Sequence, residues 1–186
     1  MDPHQALDDL KTIRQIMDRT QKVAGGHGGW FMILAGVNWL IGFTGSQFLS
    51  QEQAGRVWAV TNVGMMLAMV WVGLRLGKHR GLSTPLWKSI FSLIAALVVF
   101  AVLLAWLFGV NGSDQIGLLI LLIIAMGYVQ IGVIFQYRLI STTGVLIALL
   151  TVGAHFLLPA YFSLAMATLG GGLLIGSGLV MVRAGR

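Results

Sequence analysis

Cysteine is absent from this chain, which excludes disulfides, thiolate metal sites and cysteine nucleophiles and leaves the redox compartment open. Charge is scarce: only 10% of the 186 residues are charged, against about 25% in a soluble domain. No Asp or Glu lies inside the long apolar runs, and no Lys or Arg lies near their middles. Ionisable residues inside a membrane mark proton relays, ion-coupling sites and voltage sensors, so their lack argues against a proton-driven carrier or an energy-transducing pump. Carboxylate-pair hydrolase and metalloprotease motifs are missing too. So are the short alternating segments of a β-barrel.

What is present is apolar length. The chain is 57% hydrophobic, with a mean hydropathy of +0.86. Runs of about 20 apolar residues recur, each long enough to cross ~30 Å of hydrocarbon as a helix. The expected fold is an all-α membrane protein, with six transmembrane helices arranged as three antiparallel hairpins and preceded by an amphipathic cytoplasmic helix. The expected spans are Trp30–Phe48, Val57–Leu76, Trp87–Val110, Ile116–Tyr137, Leu139–Leu158 and Tyr161–Val182. Pro159 marks the turn between the last two. The hairpin units are 30–80, 87–138 and 139–186, each closing on a glycine followed by a base.

Charge placement sets the orientation. Lys11, Arg14, Arg19 and Lys22 precede the first span, and Arg75, Lys78, Arg80 and Lys88 lie around the loop between the second and third. Arg138 lies between the fourth and fifth, and Arg183 and Arg186 follow the sixth. All fall on one side of a six-span arrangement, while Arg56 falls on the other with Glu52 and Asp114. By the positive-inside rule both termini are cytoplasmic. The net charge of +6 therefore reads as a topology signal, not as a nucleic-acid surface.

Three regions follow: residues 1–24 as an amphipathic cytoplasmic helix, 25–29 as a glycine hinge, and 30–186 as the bundle. Asp2, Pro3 and Gln5 supply a helix start, and Ala6, Leu10, Ile13 and Met17 share one face. Four acids balance four bases in this arm, so it suits packing on its own bundle or a second subunit better than binding anionic lipid. Asp8, Asp9 and Asp18 face the same leaflet as Arg75, Lys78 and Arg80, with which they can pair. No cleavable signal peptide is expected, because a charged, periodic segment precedes the first apolar run. The link around His27 holds four glycines in six residues and matches no nucleotide-binding loop.

The polar residues inside the spans are Asn38, Asn62, Gln130, Thr151, His155 and Ser177. Unpaired amides are costly in hydrocarbon, so these groups face the bundle interior or water. Their ordinary role is hydrogen bonding between helices. Asn38, Asn62, Gln130 and His155 are the candidates for lining a cavity. No second histidine matches His155 in depth, so haem ligation is rejected and no metal or other cofactor is expected. Gly172–Gly176 and Gly73–Gly77 are GxxxG pairs, and Gly64–Ala68, Gly144–Ala148 and Ala167–Gly171 have small residues at the same spacing. Such pairs let helix backbones approach closely, within one chain or between subunits.

The segment Leu7 to Thr20, followed by Gly28-Gly29-Trp30 and Ile33-Leu34-Ala35-Gly36, resembles a family of uncharacterised bacterial six-span inner-membrane proteins. That family shares an N-terminal L-x-x-I-R-x-M-M-E-R-S-like helix, a Ser/Gly-rich link and an L-A-G opening to the first span. Leu10, Ile13, Arg14, Met17, Arg19 and Ala35-Gly36 fit the pattern, while Asp18 and Thr20 replace its Glu and Ser. The glycine-rich last span and basic tail are also similar. The resemblance implies a bacterial inner-membrane location and no particular activity.

The expectation is a non-enzymatic integral membrane protein that acts as an accessory, scaffold or sensory module. Its partners are the lipid bilayer and a protein partner or second copy, met through the N-terminal helix or the last span; nucleic acid is not among them. The alternative is a channel or carrier for a small neutral or hydrophobic solute, with Asn38, Asn62 and Gln130 along its path.

Overall fold

The computed structural model describes residues 28–77 and 113–184, together with 92, 96–97, 99–100, 102–104 and 106–107. The predicted N-terminal amphipathic helix, His27, the predicted basic loop from Lys78 to Lys88 and most of the third predicted span lie outside the described residues. Among the described residues the structure is helical, with no strand. Five helices are long and apolar enough to cross a membrane, which marks the chain as a membrane protein. They are α1 (Gly28–Phe48), α2 (Gln51–Gly77), α3 (Ser113–Ile134), α4 (Arg138–Leu157) and α5 (Pro159–Ala184). The helices α3, α4 and α5 correspond to the fourth, fifth and sixth predicted spans.

Local chemistry sets the helix ends. The α1–α2 link is closed by a reciprocal cap: Gln53 N–H donates to Ser50 Oγ at 3.4 Å, and Ser50 N–H donates to Gln53 Oε1 at 3.3 Å. This cap starts α2 six residues before the expected Val57 and brings the exposed Glu52–Arg56 ion pair into its first turns. Helix α1 also starts earlier than expected. Gly28 and Gly29, assigned above to the glycine hinge, are already helical.

Helix α3 ends three residues before the expected Tyr137. Tyr137 N–H donates to Gly132 O at 2.7 Å and Gln136 N–H to Val133 O at 3.1 Å, and Gln136 holds φ 53°. That is a Schellman ending, with glutamine in the left-handed position that glycine usually takes. Helix α5 opens on a 3₁₀ turn with Pro159 at its first position, continues as α-helix over Phe162–Ala165, and widens to a π-turn over Met166–Gly170.

Neighbouring helices run antiparallel, in the contact order α2–α1–α5–α4–α3. Trp58 packs over Gly42 and Val57 near Gly45, which joins α2 to α1. Between α1 and α5, Gly29 meets Gly178 and Gly36 meets Gly171. A Cβ on Gly29 falls 2.6 Å from Gly178 O, and one on Gly36 falls 2.7 Å from Gly171 O. Only glycine permits backbones this close. The demand of Gly178 on Gly29 is also why α1 extends back into the glycine run.

Helices α4 and α5 are joined by the buried Thr143 Oγ1–Ser177 Oγ hydrogen bond at 2.8 Å. Helices α3 and α4 meet where Gly132 abuts Ser141 and where Gly144 faces Ala125 O. The short link between the fourth and fifth predicted spans makes this pair tight, so the second and third hairpin units pack against each other. The core runs through all these seams, from Met32, Ala35 and Trp39 to Leu121, Ala125, Ile140, Ile147, Met166, Leu174 and Met181.

These pairings place Gly28, Arg75, Arg138 and Arg183 at one end of the bundle and Glu52, Arg56 and Pro159 at the other. Val37, Leu40, Ile41, Val60, Val63, Leu67, Leu149 and Leu179 are exposed on the outer faces, as lipid contact requires.

Candidate functional site

A polar pair sits deep in the α1–α2 seam. Asn38 lies ten residues into α1, about 15 Å along the helix axis. Its Nδ2 donates to Asn62 Oδ1 at 3.0 Å. Asn38 is only 5% exposed, and its Oδ1 is buried with no hydrogen-bond partner. Asn62 is exposed on α2. The hairpin explains the meeting: the Ser50–Gln53 cap sets the fold-back so that residues 42 and 58, then 38 and 62, fall opposite one another.

Above the pair stands an aromatic stack. Trp39 and Phe43 meet edge-on with centroids 5.7 Å apart, and Phe43 and Trp58 do the same at 5.1 Å. Trp58 Nε1–H donates to Ser46 Oγ at 2.9 Å, and Ser46 Oγ–H donates to Gly42 O at 3.0 Å. Trp39 also lies against Gly170, the last residue of the π-turn in α5. The π-turn thus sits level with the Asn38–Asn62 pair. Single π-turns recur at functional sites, and this one packs against a large indole.

The other expected site residues are elsewhere. The helix registers put Gln130 level with Thr143 and Ser177, about 12 Å nearer the basic end than Asn38. Gln130 Oε1 is buried and unpartnered, so it forms a second, separate polar point. His155 is exposed in the last turn of α4, with its ring edge-on to Phe156 and Phe162. Asn38 and Asn62 are therefore brought together, while Gln130 and His155 are not. Thr151 donates to Ile147 O at 2.8 Å and approaches Met166 Sδ at 3.9 Å. Ser177 is spent on Thr143, a partner that sequence reading missed.

The glycines divide by face. Gly171 and Gly178 are filled by α1, yet an added Cβ on Gly172 or Gly176 meets nothing within 4 Å. Gly73 and Gly77 fall in the final turns of α2. Among the described residues no group of His, Cys, Asp and Glu is placed to hold a metal ion. No family model, no curated protein and no solved structure matches this chain.

Proposed function

We propose that this protein is a non-enzymatic bacterial inner-membrane bundle of six spans, with both termini cytoplasmic. It acts as an accessory or scaffold module that associates through the outer face of α5. The observation that carries the reading is the contrast between adjacent glycines. Gly171 and Gly178 close the bundle against α1, whereas Gly172 and Gly176 open outward onto free space. That outward face admits the backbone of another transmembrane helix. A second copy of the chain fits it, because a two-fold pairing sets the same small-residue face against itself.

Connectivity supports the count of six. The chain leaves α2 at the basic end and enters α3 at the opposite end, a separation that one further crossing accounts for. Leu97, from that stretch, packs at Gly127 of α3. Arg75, Arg138 and Arg183 at one end support a cytoplasmic placement of that end.

The test is energy transfer between two labelled copies reconstituted in the same vesicles. Wild-type chain is expected to show transfer that Gly176→Leu and Gly172→Leu abolish. Both variants should fold normally, since their side chains enter open space. Wild-type transfer no higher than that of a monomeric membrane control would overturn the reading.

A further inference from the structure

We propose that the Asn38–Asn62 pair is a binding seat for one hydroxyl group, supplied by water or by a small neutral alcohol. The seat is independent of the α5 face. The argument begins with Asn38 Oδ1, which is buried in a 5% exposed residue and accepts no hydrogen bond. In a buried setting an unmet acceptor loses its water without replacement, so a donor there is strongly favoured.

The deficit cannot be removed by turning amides over. Asn38 Nδ2 is committed to Asn62 Oδ1. Rotating both carboxamides reverses the bond and leaves the buried Asn38 amide nitrogen without an acceptor instead. Each arrangement leaves one buried polar group of Asn38 unmatched.

The packed neighbours do not supply the missing donor. Opposing glycines put Asn38 level with Leu169 of α5. The hydroxyls nearest that level on α5 and α4 are those of Thr168 and Thr151. Thr168 Oγ1–H donates to Leu164 O at 2.9 Å, and Thr151 Oγ1–H to Ile147 O. The indole N–H of Trp58 is spent on Ser46. The aromatic stack of Trp39, Phe43 and Trp58 walls the pair off toward the Glu52 end of the seam. Asn62, by contrast, is the exposed member of the pair.

The ligand class follows from this pattern. Asn38 Oδ1 needs a donor, and the exposed Asn62 amide offers N–H groups. A hydroxyl is donor and acceptor at once and answers both. A metal cation fits poorly: it needs about six oxygen ligands, and this pair carries no carboxylate.

The experiment uses the full chain in lipid nanodiscs, with side-chain amides labelled and read by NMR. Magnetisation transfer from water to the Asn38 and Asn62 amides is measured first, and then 1-propanol is titrated. Fast water transfer with no response to propanol identifies water as the occupant. A saturable shift of both amides, with loss of water transfer, identifies the alcohol hydroxyl. Both outcomes support the seat. Neither water transfer nor a propanol shift in the wild-type chain overturns it. Asn38→Leu should abolish whichever signal is found at Asn62, and its persistence there would also count against the proposal.

Discussion

Replacing Gly178 with alanine isolates the steric demand that closes this bundle. The new Cβ falls 2.6 Å from Gly29 O, 2.7 Å from Ile33 Cγ1 and 3.0 Å from Ile33 N. Ordinary contact begins at 3.4 Å, so α1 and α5 must part by about 0.8 Å, two of the three obstacles being backbone. A radial gap of ~0.5–1 Å forfeits a quarter to a half of each dispersion contact along the seam. Overpacking of this kind costs about 1–3 kcal/mol. Against it stands the intrinsic helix preference of alanine over glycine, up to ~1 kcal/mol.

Gly176→Ala supplies the reference. It lies two residues away on the same helix, shares the propensity gain and meets nothing within 4 Å. In excess detergent, where the chain is monomeric and the Gly176 face is unoccupied, the difference between the two variants leaves the steric part alone, and Gly178→Ala should be less stable than Gly176→Ala by about 1–3 kcal/mol. Gly29→Ala strains the same contact from the other side. Once either alanine has parted the helices the second costs little, so the double variant should fall short of the sum of the singles. The assay is reversible unfolding in mixed micelles by titration with a denaturing detergent, followed by tryptophan fluorescence. Equal stability of Gly178→Ala and Gly176→Ala would refute the close α1–α5 seam. So would full additivity of Gly29→Ala and Gly178→Ala.

Gln136→Gly should stabilise the protein by about 1 kcal/mol in the same assay, because Gln136 holds φ 53° and glycine adopts that region without a Cβ penalty. Gln136→Val should lower stability instead, and equal effects would refute the strained ending. The absence of cysteine allows a clean topology test. Single cysteines placed at Ser50 and Gln136 should react with membrane-impermeant thiol reagent from opposite sides of sealed vesicles, the Gln136 position from the cytoplasmic side. Labelling of both from one side would refute the antiparallel order of the helices.

Several features were legible in the residues alone. The lengths of α1, α3, α4 and α5 follow from apolar runs bounded by polar or turn residues, and Pro159, expected in the turn before the last span, is the first residue of its opening 3₁₀ turn. The start of α2 was also legible but overlooked. Ser50-Gln51-Glu52-Gln53 carries the S-x-x-Q capping pattern, and a start at Val57 places the residue opposite Asn38 several positions beyond Asn62. With the cap recognised, hairpin symmetry alone pairs the two asparagines. The left-handed turn at Gln136 carried no such signal, because glutamine has no preference for that conformation.

The sequence by itself determined that the chain is a helical membrane protein, where most of the described helices run and which of their ends carry the arginines. These depend on hydrophobic length and on charge, which the bilayer reads one segment at a time. Only the tertiary structure decided which side of each helix turns inward. In a soluble helix an apolar stripe marks the buried face. Here lipid and core are equally apolar, so that stripe disappears. Gly171 and Gly172 are adjacent and chemically identical, yet one is clasped by Gly36 and the other faces open space. The same holds for the polar residues: Asn38, Gln130 and Ser177 look alike in an apolar run. Helix register gives Ser177 a hydroxyl partner in Thr143 and leaves Asn38 Oδ1 without one.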